Sequence, residues 1–333
     1  MKILNSKKTF IIAEIGNNHE GSFILAKKLI KEAAKCGVDA VKFQTFKTED
    51  YVSNLEKKKF DRLKKFELTE NNFIKLSKIA KTYGLKFIST PFDLKSAIFL
   101  NNIVDCFKIS SGDNNYIQLI DKVLSFNKPT FISTGLLTEK EIIKLKDYIF
   151  KKFIKEKVWF LHCVSSYPVD PIDANLNFIK KMKKFVGKNI GYSDHTTGFI
   201  APLLAICFGA KIIEKHFTLD NNFSNFRDHK LSLNPNDMKK MVSEIRNAEK
   251  MIQENNQKIS KSEALNLQIM RRGIYSKVDK KINEKLYIED LKFVRPKKNL
   301  SSNQFKIIIG KKIKKKIKKD QPIKKSNFWI LNE

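Results

Sequence analysis

Two histidines, His195 and His216, are the residues of this sequence best suited to hold a metal ion. Each ends a short apolar segment, and the two segments are consecutive along the chain. A neutral imidazole is a good ligand for a divalent ion such as Mn²⁺, Fe²⁺, Co²⁺ or Zn²⁺, and two imidazoles on neighbouring strands can share one ion. The sequence therefore predicts a metal site at these histidines. The alternative is that each ring only hydrogen-bonds within its own loop.

Two lysines, Lys42 and Lys108, end other apolar segments. A lysine is rarely buried unless it faces an anion. Hydroxyl side chains follow the apolar segments in the same way: Thr90, Ser111, Ser133 and Ser193. Because lysines and hydroxyls together suit a phosphate or a carboxylate, the sequence predicts an anion site here. Glu14 and Asp194 also end such segments, and are candidates either for acid/base catalysis or for pairing with a lysine.

These residues follow a regular series of eight short apolar segments rich in β-branched residues. Helical patterns lie between the segments, which is the alternation of a parallel sheet. The predicted strands are 9–13, 39–43, 86–89, 106–109, 130–133, 158–162, 190–192 and 211–214. Eight strand and helix pairs in about 250 residues predict an α/β fold, a (β/α)8 TIM barrel with its active site at the carboxyl ends of the strands. A doubly wound open sheet is the alternative, but no GxGxxG motif follows the first strand.

The sequence changes character after residue 253. A polar stretch at 254–258 is followed, over 271–328, by short strand-like segments separated by polar turns. We therefore predict a catalytic barrel domain at 1–255, a linker at 256–271 and a small β-rich domain at 272–333. Within the last, Ile313 and Ile317 interrupt the lysine run KKIKKKIKK and could face a core, while a solvated strand or helix edge is the favoured interpretation of the run.

The chain is strongly basic, with 65 Lys and Arg against 35 Asp and Glu and a formal charge of +30. Such a charge can indicate nucleic-acid binding. However, only six of the basic residues are arginines, the side chain best suited to phosphates and bases. We therefore expect lysine-rich helix faces and no nucleic-acid partner, with a nucleic-acid-binding protein as a distant alternative.

The sequence also indicates where in the cell the protein is found and whether its cysteines are oxidised. Its first residues contain no apolar stretch suited to a signal peptide, and no segment approaches the ~20 apolar residues of a membrane span. The four cysteines are far apart and form no CxxC motif, so neither a disulfide framework nor a zinc cluster is indicated. We therefore expect a cytoplasmic protein with reduced thiols and no membrane partner.

The motifs at the ends of the predicted strands resemble the sialic acid synthase family over nearly the whole chain. In order they are Ala13-Glu14-Ile15-Gly16, Asn18-His19-Glu20-Gly21, Val41-Lys42-Phe43-Gln44-Thr45, Ser89-Thr90-Pro91-Phe92, Lys108-Ile109-Ser110-Ser111-Gly112, Ser133-Thr134-Gly135, Tyr192-Ser193-Asp194-His195 and Glu214-Lys215-His216-Phe217-Thr218. The resemblance implies condensation of phosphoenolpyruvate with an N-acetylated hexosamine and water, giving a nine-carbon ulosonic acid and phosphate. It also implies a TIM barrel followed by a small antifreeze-like (SAF) domain, which the β-rich tail resembles.

The resemblance implies roles for individual residues. His195 and His216 would bind a divalent metal, expected to be Mn²⁺ with Mg²⁺ or Co²⁺ as alternatives, and Glu14 would be the acid/base. The positions implied to hold the phosphate and carboxylate of phosphoenolpyruvate are Lys42, Thr90, Lys108, Ser111, Ser133 and Ser193, with Ser165 and Tyr167 beside them. Gln44 and Asp228 match sugar-side positions. In the family the SAF domain of one subunit covers the barrel of its partner in a homodimer, and Arg295 matches the arginine that reaches the N-acetyl group.

Two departures from the family pattern lie on the sugar side. Residues 297–299, Lys-Lys-Asn, follow Arg295-Pro296 where a glycine-bearing stretch is common, and Phe226-Arg227 precede Asp228 where Gly-Pro is common. The acceptor is therefore open between N-acetylmannosamine and the bis-acetamido sugars that lead to legionaminic or pseudaminic acid.

A Schiff-base pyruvate aldolase is a second function that the sequence allows. It would use a buried amine of lowered pKa, from Lys42, Lys108 or Lys215. Trapping of pyruvate by borohydride, and activity that persists in a chelator, would favour it over a metal-dependent condensation.

Overall fold

The computed structural model describes residues 8–252 and 259–329. The chain divides into two compact units, Met1–Gln253 and Glu254–Glu333. The predicted domain boundary at residue 255 lies outside the described residues. The predicted linker, 256–271, contains a helix at Lys261–Met270 that begins with a capping box formed by Ser260 and Glu263. Because this helix buries none of its side chains, it has no apolar stripe from which the sequence could predict it.

The N-terminal unit is a closed barrel of eight parallel strands in sequence order. The strands are β1 (Phe10–Gly16), β2 (Ala40–Thr45), β3 (Lys86–Pro91), β4 (Cys106–Ile109), β5 (Thr130–Ser133), β6 (Val158–Cys163), β7 (Ile190–Asp194) and β8 (Ile212–His216). The pairing of β1 with β8 closes the barrel, from Phe10 beside Ile212 to Glu14 beside His216. The predicted TIM barrel is confirmed, and the open-sheet alternative is wrong.

Helices follow the strands around the barrel. They are α1 (Phe23–Lys35), α2 (Thr48–Tyr51), α3 (Lys57–Phe66), α4 (Glu70–Thr82), α5 (Leu94–Leu100), α6 (Ile117–Ser125), α7 (Glu139–Lys152), α8 (Asn177–Val186), α9 (Ile200–Cys207), α10 (Arg227–Leu231) and α11 (Pro235–Met251). The sequence predictions did not include α2, α3 or α10. The helices α2 and α10 have only four and five residues, and α3 buries only Leu63 and Phe66. No helix in the described part of the chain is long and apolar enough to cross a membrane.

The two faces of each strand separate the core into an inner and an outer cluster. The inner cluster has members on seven strands, which places it inside the barrel: Phe10, Ile12, Ala40, Ile88, Cys106, Phe131, Trp159, Leu161 and Ile212. Ile11 and Ala13 of β1 instead belong to the larger cluster that includes the helices. Continuing this two-residue period toward the carboxyl ends gives the positions whose side chains enter the mouth of the barrel.

The C-terminal unit contains the helix α12 (Lys261–Met270) and one antiparallel pair, β9 (Gly273–Ser276) with β10 (Leu291–Val294). Its other strand-like contacts are isolated bridges and short turns, so among the described residues it holds less regular strand than the sequence predicted. Its core includes Ile313 and Ile317, both fully buried. The two isoleucines of the lysine run therefore face a core, as the sequence allowed, and the lysines at 314–316 between them are exposed.

Candidate active site

A cavity of about 390 Å³ opens at the carboxyl ends of the barrel strands. Arg295 belongs to the C-terminal unit, where it is exposed. Thirteen of the other predicted site residues line the cavity: Glu14, Lys42, Gln44, Thr90, Lys108, Ser111, Ser133, Ser165, Tyr167, Ser193, His195, His216 and Asp228. The barrel therefore collects at one point residues that are spread over more than 200 positions of the sequence.

The alternation of the strands explains why these side chains point into the barrel. On β1, Glu14 comes two residues after Ile12, and on β4, Lys108 comes two residues after Cys106; both Ile12 and Cys106 are in the inner cluster. On β5, Ser133 likewise follows Phe131. Each strand thus presents an apolar residue to the barrel interior and then a polar one at its mouth, as expected for a barrel filled in layers.

The two predicted lysines form a buried network with two carboxylates. Lys42 Nζ lies 2.9 Å from Glu14 Oε1 and 3.6 Å from Glu214 Oε1, and Lys108 Nζ lies 3.9 Å from the same Glu214 oxygen. Both lysines also donate to hydroxyls, Lys42 to Thr90 at 3.3 Å and Lys108 to Ser133 at 2.6 Å. The paired charges allow four ionisable groups to be buried in one layer.

Burial and charge act in opposite directions on the pKa values of this network. Burial raises the pKa of Glu14 above its usual value, although Lys42 opposes the shift. Burial would also raise the pKa of Glu214, but Lys108 and Lys42 outweigh it and hold that pKa below its usual value. Burial lowers the pKa of the Lys108 amine. Glu214 is therefore the stable anion of the layer, and Glu14 is the carboxyl group that can carry a proton.

Glu214 is a site residue that the sequence predictions did not include. It accepts a hydrogen bond from Ser193 Oγ at 2.8 Å in addition to its contacts with the two lysines. The signal was present in the sequence, because Glu214 comes two residues before His216 and so shares its face of β8. Gln44 reaches the same layer by donating to Glu14 Oε1 at 3.3 Å.

Several polar atoms of the cavity are buried and lack a hydrogen-bond partner among the described residues. They include Glu14 Oε2, Asn17 Oδ1, Ser111 Oγ, Ser165 Oγ, Glu214 Oε2 and His216 Nδ1. Buried polar groups in proteins are nearly always paired. A concentration of unpaired atoms around one cavity indicates that a polar ligand completes their hydrogen bonds.

His195 and His216 lie side by side, with ring centroids 5.3 Å apart. His195 Nδ1 is 2.9 Å from the carbonyl oxygen of Val164, a contact that fixes this ring and leaves its Nε2 for another partner. With metal–nitrogen bonds of about 2.1 Å, two imidazoles can share an ion at centroid separations up to about 6 Å. The separation of the two rings is therefore compatible with a shared divalent ion. Within residues 8–252 and 259–329, no group of three or more His, Cys, Asp or Glu side chains could hold one, so the further ligands would be substrate or water.

Asp194 and Lys215 face away from the cavity. Their side chains form a fully buried ion pair of 2.6 Å, and Asp194 also accepts from the Tyr192 hydroxyl and the Thr196 amide, each at 2.9 Å. The assignment of Asp194 as an acid/base candidate is therefore wrong, and its alternative, pairing with a lysine, is correct. Since Ser193 and His195 point inward, the residue between them must point outward. Lys215 likewise points outward, between Glu214 and His216, so it is excluded as the Schiff-base lysine.

Replacing Lys215 by methionine is expected to lower the free energy of unfolding by about 3 to 5 kcal/mol, because it leaves the Asp194 carboxylate buried without its cation. Urea unfolding followed by circular dichroism measures the change. The double variant Asp194→Asn with Lys215→Met should recover part of the loss. An unchanged unfolding midpoint in the single variant would show that the pair contributes nothing to stability.

Comparison with known proteins identifies the family of this barrel. The model of the NeuB family matches residues 29–257. The chain belongs to the NeuB family. It is 37% identical to the N,N'-diacetyllegionaminic acid synthase of Campylobacter jejuni, over 96% of this chain and 99% of that protein. It is 35% identical to the pseudaminic acid synthase of Campylobacter jejuni, over 97% of each chain.

A solved structure agrees with both matches. The N-acetylneuraminic acid synthetase of Leptospira borgpetersenii, crystallised in complex with citrate, is 35% identical and has a TM-score of 0.73, over 78% of this chain and 90% of that one. NeuB-family membership confirms the resemblance seen in the sequence, and it confirms that the chain is an enzyme of the synthase type. By their names, these three relatives make three different acids: N,N'-diacetyllegionaminic, pseudaminic and N-acetylneuraminic acid.

Proposed function

We propose that this enzyme condenses phosphoenolpyruvate with an N-acetylated hexosamine and water, giving a nine-carbon ulosonic acid and phosphate. The observation that carries the proposal is the buried layer in which Lys42 and Lys108 share Glu214, beside the His195–His216 pair. The lysines suit the phosphate and carboxylate of phosphoenolpyruvate, and the histidine pair suits the aldehyde end of an open-chain sugar. Family membership supports the same reaction.

The residues of the cavity would act mainly by binding and alignment. Lys42 and Lys108, with the hydroxyls of Thr90 and Ser133, hold the anionic groups of phosphoenolpyruvate. Its methylene carbon attacks the aldehyde carbon of the acceptor, which leaves a cationic centre at the adjacent carbon. Water adds to that centre, and phosphate then leaves with cleavage of the carbon–oxygen bond. The lysines and carboxylates of the layer stabilise the charges that develop.

Glu14 is the proposed proton carrier. The former aldehyde oxygen gains a proton and the attacking water loses one, so the reaction needs a group that can take both forms. Burial raises the pKa of Glu14 above its usual value, which favours its protonated form more than in an exposed glutamate. His195 and His216 are the proposed ligands of a divalent metal, Mn²⁺ with Mg²⁺ or Co²⁺ as alternatives. Such an ion, when bound, supplies Lewis-acid polarisation of the aldehyde oxygen.

The remaining parts of the proposal concern the acceptor and the assembly. N-acetylmannosamine or a bis-acetamido relative is the proposed sugar, with Gln44 and Asp228 on its side of the cavity. Residues 272–333 are proposed to form the SAF domain of a cytoplasmic homodimer, in which Arg295 of the partner subunit contacts the N-acetyl group. Sedimentation analysis would give twice the chain mass of 38.7 kDa if the dimer forms, and a monomer would refute it.

The direct test of the function is release of phosphate from phosphoenolpyruvate. Release should require an N-acetylated hexosamine, stop after removal of divalent metal by a chelator, and return when Mn²⁺ is added. Release without any sugar would indicate a phosphatase instead. Pyruvate trapped on Lys42 or Lys108 by borohydride, with activity that persists in chelator, would indicate the aldolase.

Gly135 provides a test of the place proposed for phosphoenolpyruvate. A Cβ atom there would lie 2.5 Å from Ser165 Oγ and 2.6 Å from Ser111 Oγ. Gly135→Ala is therefore expected to lower kcat/KM for phosphoenolpyruvate by about 10- to 100-fold, since overpacking displaces the two hydroxyls. Gly112→Ala is the matched control, because its nearest Cβ contact would be 3.7 Å away. Equal kinetics in the two variants would place the anion elsewhere.

A further inference from the structure

Asn17 is a residue of the cavity to which neither the sequence predictions nor the proposed function gives a role. It directly follows β1 and lines the cavity, as do two arginines that were also not predicted, Arg62 and Arg227. The two arginines are exposed at the mouth of the cavity, whereas Asn17 is only 5% exposed. Asn17 is therefore a buried polar group that borders the space open to a bound molecule.

A chain of hydrogen bonds joins Asn17 to Glu14 through Gln44. Asn17 Nδ2 donates to Gln44 Oε1 at 2.8 Å, and Gln44 Nε2 donates to Glu14 Oε1 at 3.3 Å. The same Glu14 oxygen lies 2.9 Å from Lys42 Nζ. Glu14 and Lys42 are both buried, so the inner end of this chain is held within the lysine layer.

The inner end of the chain also fixes the order of its donors and acceptors. Glu14 Oε1 accepts from Lys42 and can only accept from Gln44, so the Gln44 amide must turn its nitrogen toward Glu14. The oxygen of Gln44 then faces Asn17, which must donate to it through Nδ2. The hydrogen-bond network thus assigns the orientation of both amides. It leaves Asn17 Oδ1 as a free acceptor.

Asn17 Oδ1 is buried and has no hydrogen-bond partner among the residues that the structure describes. A buried acceptor without a donor is costly, and such atoms in proteins are nearly always paired. The phosphate and carboxylate of phosphoenolpyruvate cannot pair it, because their ionised oxygens only accept hydrogen bonds. A hexosamine, in contrast, carries several hydroxyl groups and an amide N–H. The acceptor sugar is therefore the substrate that can supply the missing donor.

We propose that Asn17 is a specificity residue that accepts a hydrogen bond from one O–H or N–H group of the acceptor sugar. This inference rests on the proposed condensation and adds to it a residue that selects the acceptor. The donor lies near the carbons that join, because Asn17 is two hydrogen bonds away from Glu14, the proposed proton carrier. A sugar that lacks this donor leaves the buried oxygen unpaired, so the site discriminates against it.

Sugar analogues that each lack one donor test the proposal. N-acetylmannosamine, or whichever N-acetylated hexosamine the wild type uses best, is compared with five analogues. The 2-O-acetyl ester lacks the amide N–H, and the 3-, 4-, 5- and 6-deoxy sugars each lack one hydroxyl. Each sugar is assayed with phosphoenolpyruvate on the full-length protein. The wild type is expected to lose about 10-fold or more in kcat/KM with the analogue that lacks the donor to Asn17.

Variants of Asn17 identify that analogue. Asn17→Ala should lose about 10-fold or more in kcat/KM with the parent sugar, and it should lose nothing further with the decisive analogue, because the partner is already absent. Asn17→Asp keeps an oxygen toward the cavity but cannot donate to Gln44. It should therefore retain the discrimination against the decisive analogue. These ratios between sugars do not depend on the fraction of the protein that folds.

Asn18→Ala is the matched control. Asn18 is the neighbouring buried amide, and its Oδ1 also lacks a partner among the described residues, but it does not line the cavity. Its Nδ2 donates to the carbonyl oxygen of Phe217 at 2.9 Å and to Ser232 Oγ at 3.0 Å. The control should keep the wild-type losses across the series of analogues. An effect as large as that of Asn17→Ala would reveal a general disturbance of the loop after β1 and overturn the proposal.

The other outcomes separate this inference from the proposed function. If Asn17→Ala keeps the wild-type loss with every analogue, the free oxygen binds no donor of the sugar and the inference is refuted, while the condensation stands. A higher KM for phosphoenolpyruvate as the sole effect refutes it in the same way. Lost discrimination in Asn17→Asp would show that Asn17 acts only through Gln44. If no hexosamine elicits phosphate release from the wild type, the proposed function itself fails and this inference fails with it.

Discussion

Lys108→Met is expected to lower kcat/KM for phosphoenolpyruvate by about 10²- to 10³-fold, the range measured when one charge-stabilising donor is removed from an active site. Methionine replaces lysine by an unbranched apolar side chain that is one atom shorter, and it removes the amine and its charge. In the wild type this amine donates to Ser133 and to the carbonyl oxygen of Ile109 at 3.1 Å, with Glu214 3.9 Å away. The variant therefore loses a contact to the substrate and also leaves Glu214 less compensated. Steady-state kinetics with phosphoenolpyruvate varied measures the loss.

Lys215→Met is a matched control for this experiment. Lys215 is as deeply buried as Lys108 but lies on the outward face of its strand, paired with Asp194. Its variant should lose stability, while the folded fraction keeps kcat/KM within about threefold of wild type. If Lys108→Met retained the wild-type kcat/KM, the lysine layer would not be the anion site.

His195→Ala and His216→Ala are each expected to abolish tight metal binding and to lower kcat by at least about 100-fold, the upper end of the effect of losing an outer-shell partner of a metal ligand. Each variant leaves one imidazole, which alone cannot hold the ion in the arrangement proposed. Titration calorimetry with Mn²⁺, and metal content measured by mass spectrometry, give readouts that do not depend on activity.

His162→Gln is the control for the histidine variants. His162 is a third histidine of the barrel strands, but its Nε2 bonds the carbonyl oxygen of Ala174 at 2.9 Å and its ring stacks on Tyr192. His162 does not line the cavity at the carboxyl ends of the strands. This variant should bind Mn²⁺ as the wild type does. Wild-type metal affinity in His195→Ala and His216→Ala would refute the metal site.

The barrel and most of its site were predictable because two short-range rules act together. Apolar segments and helical patterns alternate in the sequence, which fixes a parallel barrel, and polar residues at the carboxyl ends of its strands converge by geometry. Nothing about distant contacts was needed to bring Lys42 and His216 to one cavity. The two-residue period of a strand is equally local, and it distinguishes Glu14, which points inward, from Asp194, which points outward.

The two-residue period of a strand also predicts the position of Glu214, which the sequence predictions did not include. It shares the face of His216, so its place in the cavity followed from the same period that predicts the histidine. Its importance as the carboxylate between Lys42 and Lys108 did not follow, because that depends on the spacing of three different strands around the barrel. Only the closed geometry shows that one oxygen lies within 4 Å of both amines.

The mouth of the cavity was least predictable. Arg62 lies on α3, which buries only Leu63 and Phe66, and Arg227 begins the five-residue helix α10, so neither helix adds much to the main core. Their convergence depends on the contact between Phe66 and Phe226, residues 160 positions apart. Such packing between distant parts of the chain leaves no local pattern in the sequence.

Transfer of oxygen isotope tests the central claim most directly. Phosphoenolpyruvate labelled with ¹⁸O in the oxygen that bridges carbon and phosphorus should give phosphate that carries the label, together with a nine-carbon acid, and only when the hexosamine is present. That result requires cleavage of the carbon–oxygen bond during condensation. Unlabelled phosphate, formed with pyruvate in the absence of sugar, would show cleavage at phosphorus and contradict the account.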